Sequence, residues 1–384
     1  MLTLQSKLPT QGVTIFSTMS ALAQQLQALN LSQGFPDFAP PQELLEALTN
    51  ATLHGSHQYP PGDGLLQLRE HIAQQFLQRD HIHLDPVHEI TITPGATIGI
   101  FSSIQAFVRA DDEVIIFDPS YDSYAPSIAL VGAKAVHIAL QGHDFHVDWN
   151  QVKDAINVKT RMIIINTPHN PSGSIWSKQD WLQLIELVKD TNIVILSDEV
   201  YEHLVFDQKQ HYSALSFPEL KDRCIVLGSF GKTFHVTGWK TGYCCASAPL
   251  MQMFRQVYQF ANFCGVTPVQ TALSHFIEHH PEHLKELASF YQAKRDLFIQ
   301  GIQSSRFTYT PSSGTYFQNL DYSKIQPDFS DVEMCRYLAH EYKVVGIPIS
   351  VFYKNPPPNL KLIRFCFAKK ENTLIQAGEI LSQI

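Results

Sequence analysis

Polar and basic side chains follow the ends of several short apolar runs in the middle of the chain. Asp198, Ser229 and Lys232 come just after two of these runs, and Asn170 follows a third across a proline-rich turn. Gly95-Ala96-Thr97 joins another run to a helical pattern. If the runs are strands of one open α/β sheet, these residues meet at the edge where such sheets bind ligands. Because helix N-termini bind phosphate, the set predicts a cradle for a phosphorylated cofactor.

The apolar runs alternate with amphipathic stretches, which is typical of repeated strand–helix units and a mainly parallel sheet. The runs are apolar throughout, so helices are expected to cover both faces of the sheet. The fold class is therefore α/β, with a mainly parallel seven-stranded sheet sandwiched by helices. The seven predicted strands are residues 90–93, 113–117, 135–140, 162–166, 193–197, 225–228 and 242–246.

The pattern changes after about residue 248. Long helical stretches come first, followed by a mixture of short strand-like and helical pieces, which together predict a second, smaller α+β domain. The first 45 or so residues lack the strand–helix alternation and are expected to fold back onto the C-terminal part. We therefore predict a large domain over residues 46–280, and a small domain formed by residues 281–384 with an N-terminal arm of residues 1–45.

Composition favours a cytoplasmic protein whose partners are small molecules. The 384 residues carry a formal net charge of −8, and 44% of them are hydrophobic, which argues for a large core and against disorder. No basic stripe is present to attract nucleic acid or an anionic membrane. No apolar stretch approaches the length of a membrane span, and the N-terminus does not resemble a secretory signal. The six cysteines form no Cys-x-x-Cys pair and are expected to be reduced and mostly buried.

Eight motifs, in register through nearly the whole chain, resemble those of the fold-type I pyridoxal-phosphate aminotransferases of class I/II. Within that class the chain is most similar to the bacterial methionine aminotransferases and their kynurenine aminotransferase relatives. The motifs are 31–38 (LSQGFPDF), 58–60 (QYP), 118–121 (DPSY), 166–173 (NTPHNPSG), 197–201 (SDEVY), 229–232 (SFGK), 238–240 (GWK) and 363–365 (IRF).

The resemblance implies a catalytic role for three residues of these motifs. Lys232 would form a Schiff base with the cofactor aldehyde and, once released, would shuttle a proton at the substrate Cα. Asp198 would pair with the pyridine nitrogen and keep it protonated. Tyr201 and Asn170 would hydrogen-bond the phenolic oxygen of the cofactor, and Tyr121 would lie against the ring face.

The resemblance also implies how the cofactor phosphate is held. The backbone of Ala96 and Thr97 would bind it at a helix N-terminus, together with Ser229 and Lys240. Many class members have arginine at the last position, whereas the kynurenine-type subgroup shows lysine. Tyr59 matches a tyrosine that reaches the phosphate of the neighbouring subunit, which implies a homodimer with shared active sites.

The substrate α-carboxylate would be gripped by Arg364 in a bidentate fork, helped by Asn170 and the backbone near Gly34. No second arginine stands where it could receive a dicarboxylic side chain. Three aromatic residues lie in segments that border the pocket in similar enzymes, although as apolar residues they could equally well fill the core. They are Phe16, Phe263 and Phe352. The hypothesis is a ping-pong transaminase for methionine and other large neutral or aromatic amino acids, with a 2-oxo acid acceptor.

Two other functions compete with this hypothesis. The same cofactor site could perform β-elimination on cysteine conjugates, yielding pyruvate and a thiol instead of an aminated acceptor. A non-catalytic regulator built on the same fold would carry an added DNA-binding module, for which residues 1–50 are too few and too weakly basic. No metal site is predicted, because Pro281 interrupts the histidine-rich sequence 279–283.

Overall fold

A computed structural model of the chain describes residues 5–9 and 12–384. Its N-terminal part contains α1 (Ile15–Leu26), β1 (Leu29–Asn30), α2 (Gln42–His54) and α3 (Leu66–Asp80). Thr14 caps α1, because its side-chain oxygen accepts a hydrogen bond from Ser17 N, one of the N–H groups that have no partner within the helix. None of the helices in the described ranges is long and apolar enough to cross a membrane.

Strands and helices then alternate as predicted from the sequence, each predicted strand lying within two residues of an observed one. The strands are β2 (Ile90–Thr93), β3 (Glu113–Asp118), β4 (Lys134–Ala139), β5 (Thr160–Asn166), β6 (Val194–Asp198), β7 (Cys224–Ser229) and β8 (Gly242–Ala246). The helices among and after them are α4 (Ala96–Phe107), α5 (Tyr124–Leu130), α6 (Trp149–Ala155), α7 (Lys178–Val188), α8 (Phe230–Thr233), α9 (Ala248–Ala261) and α10 (Thr267–His279).

These seven strands form one sheet in the order β2-β8-β7-β6-β5-β3-β4. Every neighbouring pair is parallel except those that involve β8, which runs antiparallel to both β7 and β2. Ser229 at the end of β7 therefore pairs with Gly242 at the start of β8. The connection between them stays at the edge where β7 ends, and it carries both Lys232 and Lys240.

Both faces of the sheet are buried, as the apolar strands predicted. Successive residues of a strand point to opposite faces, so Ile163 and Ile195 join one hydrophobic cluster while Ile164 and Leu196 join another. The first cluster includes residues of α2, α3, α7 and α10, and the second includes residues of α4, α5 and α9. The sheet is a rigid layer whose edge positions the polar residues that follow each strand.

The C-terminal part is a smaller set of helices and strands around another hydrophobic cluster, which also includes Tyr201, Leu204 and Phe206 from the segment after β6. It contains α11 (Glu282–Gly301), β9 (Phe317–Asp321), α12 (Asp331–Glu341), β10 (Val344–Val345), β11 (Ile347–Pro348), β12 (Leu362–Cys366) and α13 (Glu371–Leu381). β12 is central in a three-stranded antiparallel sheet of order β11-β12-β9, which places Arg364 in the middle of a buried strand.

The N-terminal segment packs against this C-terminal unit. β1 pairs in parallel with β10, and Met19, Ala23 and Leu31 belong to the C-terminal core. By contrast, Leu44 and Ala47 of α2 belong to the core on one face of the large sheet. The chain therefore passes from the C-terminal core to the core of the large sheet between residues 31 and 44, close to the predicted boundary at residue 45. The two-domain division itself stays a prediction.

The cysteines and the histidine-rich sequence lie outside the eight motifs, and the structure shows where each is placed. All six cysteines are unpaired, and all but Cys264 are buried, as predicted. α10 ends at His279 and α11 begins at Glu282, with Pro281 as its N-cap. His279 and His283 therefore lie on two separate helices, with His280 in the connection between them, as the proline indicated.

Candidate active site

Nine of the residues predicted to hold the cofactor line a single cavity at the edge of the large sheet. They come from the segments that follow β2, β3, β5, β6 and β7, and parallel strands bring their carboxyl ends to the same edge. These residues are Ala96, Thr97, Tyr121, Asn170, Asp198, Tyr201, Ser229, Lys232 and Lys240. The sheet topology thus brings together residues separated by up to about 140 positions in the sequence.

One end of the cavity is built to receive an anion. Gly95 has a φ of 79°, a conformation that glycine adopts without strain, and it turns the chain directly into α4 at Ala96. A Cβ at Gly95 would lie 3.3 Å from Lys240 Nζ, so the ammonium group stands beside the helix N-terminus. A Cβ at Gly242 would lie 2.5 Å from the carbonyl oxygen of Gly228, which explains why β8 begins with glycine, and 3.2 Å from Ala96 N, so the strand passes close to the start of α4. Backbone N–H groups and a cation together form an anion seat.

A second part of the cavity presents the carboxylate of Asp198. This residue ends β6 in register with Asn166 of β5, whose Nδ2 donates a hydrogen bond of 2.8 Å to the carbonyl oxygen of Asp198. The Tyr124 hydroxyl donates a hydrogen bond of 2.6 Å to Asp198 Oδ2. Burial raises the pKa of Asp198 to about 6, while the hydrogen bond from Tyr124 acts in the opposite direction. A cationic group beside this carboxylate would favour its charged form and offset the cost of its burial.

Tyr124 was not predicted from the sequence as a site residue. It begins α5, three positions after Tyr121, and the two rings meet edge to face with centroids 5.6 Å apart. That spacing places two aromatic residues on one side of a helical turn, and from the sequence it could have indicated that Tyr124 lies beside Tyr121. It could not show that the hydroxyl of the second residue reaches a carboxylate on β6.

Replacing Tyr124 by phenylalanine is expected to raise the pKa of Asp198 above about 6. The substitution keeps the ring but removes a hydrogen bond to the carboxylate, and such bonds favour the charged form. The measurement is carboxyl 13C NMR of the cofactor-free protein against pH, with Asp198→Asn identifying the resonance. Tyr258→Phe is the matched control, because that buried hydroxyl donates to the carbonyl of Ile92 instead. An unchanged or lower pKa in Tyr124→Phe would contradict the assigned contact.

Lys232 lies in α8, and its amine lies beside two aromatic rings. Nζ is 5.7 Å from the ring centroid of Tyr201 and 5.5 Å from that of Tyr316, and it donates a long hydrogen bond of 3.4 Å to the carbonyl oxygen of Gly34. Burial lowers the pKa of Lys232 to about 8, and the positive charges of Lys240 and Arg364 act in the same direction. A neutral amine, which can act as a nucleophile or a base, is therefore accessible near neutral pH.

Arg364 is a buried guanidinium whose hydrogen-bond partners are neutral. Nη1 donates to Asn170 Oδ1 at 2.7 Å, and Nη2 donates to the carbonyl oxygen of Ser32 at 3.3 Å. Nε is buried and has no hydrogen-bond partner among the described residues. Burial lowers the pKa of Arg364 to about 10. A buried cation with an unused donor fits an anionic ligand that can accept more than one hydrogen bond, such as a carboxylate.

Three phenylalanine rings surround the Arg364 guanidinium. Its Cζ lies 3.9 Å from the ring centroid of Phe317, 5.1 Å from Phe352 and 5.4 Å from Phe16. Phe16 and Phe352 were predicted from the sequence, and their ring centroids lie 5.9 Å apart. Phe317 and the neighbouring Tyr316 were missed, because nothing in the local sequence distinguishes them from core aromatics. These rings give the surroundings of Arg364 an apolar character.

Two predicted site residues lie away from the cavity in the single chain. Tyr59 is 80% exposed and Phe263 is 49% exposed, and their rings meet edge to face at 5.3 Å. Phe263 therefore lies outside the cavity of its own chain, and its place at the substrate pocket stays a prediction. The reason is that Phe263 lies in the connection between α9 and α10, where it packs beside Tyr59. Any contact of this pair with a ligand requires a second chain.

The fold and the site together define the class. Residues 27–379 match the family model described as aminotransferase class I and II. The chain belongs to that family, and it is an aminotransferase with the fold of the type I pyridoxal-phosphate transferases.

The chain is similar over its whole length to several characterised members. It is 48% identical over 380 residues to the methionine aminotransferase of Escherichia coli, covering 99% of this chain and 98% of the relative. The solved structure of that bacterium's YbdL, for which a methionine aminotransferase function is described, has a TM-score of 0.97 and 48% identity and covers 100% of both chains. Human kynurenine–oxoglutarate transaminase 3 is 32% identical, covering 96% of this chain and 87% of the relative.

Proposed function

We propose that the protein is a pyridoxal-phosphate-dependent transaminase that takes methionine and other large neutral or aromatic amino acids as donors and a 2-oxo acid as acceptor. The observation that carries the proposal is one cavity lined by an anion seat, a buried carboxylate and a lysine with a lowered pKa. A separate buried arginine with an unused donor stands beside Asn170, which lines the same cavity.

The residues of the cavity fit pyridoxal phosphate in charge and in hydrogen-bonding chemistry. The N-terminus of α4, Ser229 and Lys240 would hold the phosphate, since they form the cationic end of the cavity. Asp198 would pair with the protonated ring nitrogen, and Tyr121 would lie against the ring face. When bound, the cofactor supplies an electron sink for the charge left at the substrate Cα after proton removal.

The chain's own groups would bind the amino acid and move its proton. Lys232 would anchor the cofactor covalently and, once free, its neutral amine would take the proton from the substrate Cα. Arg364 would grip the α-carboxylate with two parallel N–H donors, and its hydrogen bond to Asn170 would keep the fork in one orientation. Tyr201, with its ring beside Lys232 Nζ, would hydrogen-bond the phenolic oxygen of the cofactor.

The proposed preference for large neutral side chains rests on the apolar surroundings of Arg364. Phe16 and Phe352 offer aromatic faces that suit a thioether or an aromatic ring, since sulfur and aromatic groups interact favourably. The similarity to a methionine aminotransferase supports the same preference.

The protein is further proposed to act as a cytoplasmic homodimer with shared active sites. Apolar side chains stand exposed at the end of α9 and in the connection that follows it, namely Phe260, Phe263 and Val266. Exposed apolar clusters of this kind are buried in protein–protein contacts. A second chain on this surface would cover Tyr59. The hydroxyl of Tyr59 would then reach the phosphate bound by that second chain.

An amino-donor panel tests the proposed function. With one common 2-oxo acid acceptor, methionine is expected to give a kcat/KM at least about tenfold above that of aspartate, because the pocket offers aromatic faces and no second arginine lines it among the described residues of the chain. Initial rates over a grid of both substrates should give the parallel double-reciprocal lines of a ping-pong reaction. A faster reaction with aspartate than with methionine would overturn the specificity, and the absence of any amino-acid-dependent change in the cofactor's visible absorption would overturn the function.

The products distinguish transamination from β-elimination. Incubation with a cysteine conjugate and a 2-oxo acid is expected to yield the aminated acceptor in amounts that match the amino acid consumed. Accumulation of pyruvate and free thiol without aminated acceptor would instead indicate a lyase.

A further inference from the structure

The turn that carries Phe352, residues 349–354, is tied to α12 by a buried carboxylate. Asp331 is the first residue of α12 and is 3% exposed. Its Oδ2 accepts a hydrogen bond of 2.6 Å from Ser350 N, and its Oδ1 accepts one of 2.7 Å from Ser350 Oγ. Both oxygens of the carboxylate are thus directed at one residue, two positions before Phe352.

The other end of the same turn is tied to the edge of the large sheet. Asp118, the last residue of β3, accepts a hydrogen bond of 2.8 Å from Lys354 N through Oδ2. Ser120 N donates a hydrogen bond of 2.7 Å to the carbonyl oxygen of Phe352. The carboxylate of Asp118 also lies 3.0 Å from His137 Nδ1 on the neighbouring strand β4, which fixes its orientation.

These contacts bracket Phe352 on both sides. A buried carboxylate is costly unless it is hydrogen-bonded, and here two of them accept hydrogen bonds from backbone N–H groups of the same turn. The backbone on either side of Phe352 is therefore fixed, with its ring 5.1 Å from Arg364 Cζ and 5.9 Å from the ring of Phe16. Displacing the turn would move this ring away from the guanidinium.

We propose that Asp118 and Asp331 are positioning residues that set the selectivity of the enzyme for large neutral side chains by holding Phe352 beside Arg364. This inference rests on the proposed function, since it assigns the selectivity of that same site. Neither carboxylate lines the cofactor cavity, so both act through Phe352. Loosening either contact is expected to weaken the reaction with a large side chain more than the reaction with alanine.

The first test compares methionine with alanine as amino donors. Asp331→Ala is expected to lower the ratio of their kcat/KM values by about tenfold, the range that one apolar contact provides in substrate discrimination. Asp331→Asn should restore most of the ratio, because the amide oxygen can accept from Ser350 N while the amide nitrogen donates to Ser350 Oγ. The matched control is Asp328→Ala, an exposed acidic residue of the preceding loop, which should leave the ratio unchanged.

A double-substitution cycle separates positioning of Phe352 from general damage. Phe352→Ala alone is expected to lower the ratio at least as much as Asp331→Ala, and the combined variant should be no worse than Phe352→Ala. Asp118→Ala gives an independent measurement from the sheet side if Asp331→Ala fails to fold. An equal loss with both amino acids, or additive effects in the combined variant, would overturn the proposal.

Amide hydrogen exchange of the full-length enzyme provides a readout that does not depend on turnover. Exchange in the peptide that contains residues 349–354 should rise in Asp331→Ala and Asp118→Ala and stay at the wild-type level in Asp328→Ala. Unchanged exchange in an active enzyme would overturn the positioning role alone. A wild-type enzyme that turns over neither amino acid would overturn the proposed function and the selectivity role with it.

Discussion

Replacing Lys232 by alanine is expected to abolish steady-state transamination, lowering kcat by on the order of 10⁴-fold or more. The physical reason is that the variant loses both the amine that anchors the cofactor and the base that moves the substrate proton. Burial lowers the pKa of this amine to about 8, so the neutral form is a minor but far larger fraction at neutral pH than it is for an ordinary lysine. The measurement is the rate of 2-oxo acid formation from methionine at saturating cofactor.

Cofactor retention after gel filtration shows whether the Lys232→Ala site is intact, since the anion seat and Asp198 are unchanged in the variant. Lys232→Arg keeps a positive charge but offers no neutral amine at neutral pH, so it should be as inactive as the alanine variant. Lys178→Ala removes an exposed lysine at the start of α7 and should retain full activity. Normal turnover by either Lys232 variant would contradict the assigned role.

Replacing Arg364 by alanine is expected to lower kcat/KM for amino acids by about 10²–10³-fold, mainly through KM. The guanidinium is 1% exposed, and removing one partner of a buried, charge-assisted contact costs roughly 2–5 kcal/mol. Arg364→Lys should fall between the wild type and the alanine variant, because it keeps the charge but cannot form two parallel hydrogen bonds. Steady-state kinetics with methionine at a fixed, saturating acceptor concentration provide the measurement.

The role of Arg364 in binding the carboxylate can be isolated with a substrate analogue. An amine that has the methionine side chain but no α-carboxylate should react equally poorly with the wild type and with Arg364→Ala. Arg336→Ala, which removes an exposed arginine of α12, should leave the kinetics with methionine unchanged. A loss of activity that is the same for methionine and for the analogue would show that the substitution damages the site generally.

The strands of the large sheet, and the meeting of polar residues in one cavity at its edge, could be predicted well, for a local reason. Each strand is a short apolar run that neighbouring helices bury on both faces, and most of the residues that line the cavity end such a run or follow it within a few positions. Asp198 and Ser229 illustrate this, since both end a strand as observed. Once the strands are parallel, their carboxyl ends share an edge, and the convergence of the site follows from topology alone.

Contacts between distant segments could not be predicted in the same way. Tyr316 donates a hydrogen bond of 2.5 Å to the carbonyl oxygen of Gly34, and Phe317 lies against the guanidinium of Arg364, although neither residue belongs to a recognisable motif. Phe263 shows the same difficulty, because in the single chain its ring packs on the surface beside Tyr59, and its role as a pocket residue stays a prediction. Sequence spacing does not determine which side of a connecting segment faces the site.

The sequence by itself determined the class of protein, the order of its strands along the chain and the chemical types available at the sheet edge. These depend on local apolar patterning and on short motifs, both of which can be detected without coordinates. Only the tertiary structure decided how the charges influence one another. The lowered pKa of Lys232 and the hydrogen bond of Tyr124 to Asp198 arise from burial and from partners far apart in sequence. The hydrogen bonds on either side of Phe352 come in the same way from two carboxylates more than 200 positions apart, Asp118 and Asp331. Desolvation and hydrogen-bond geometry exist only once the chain is folded.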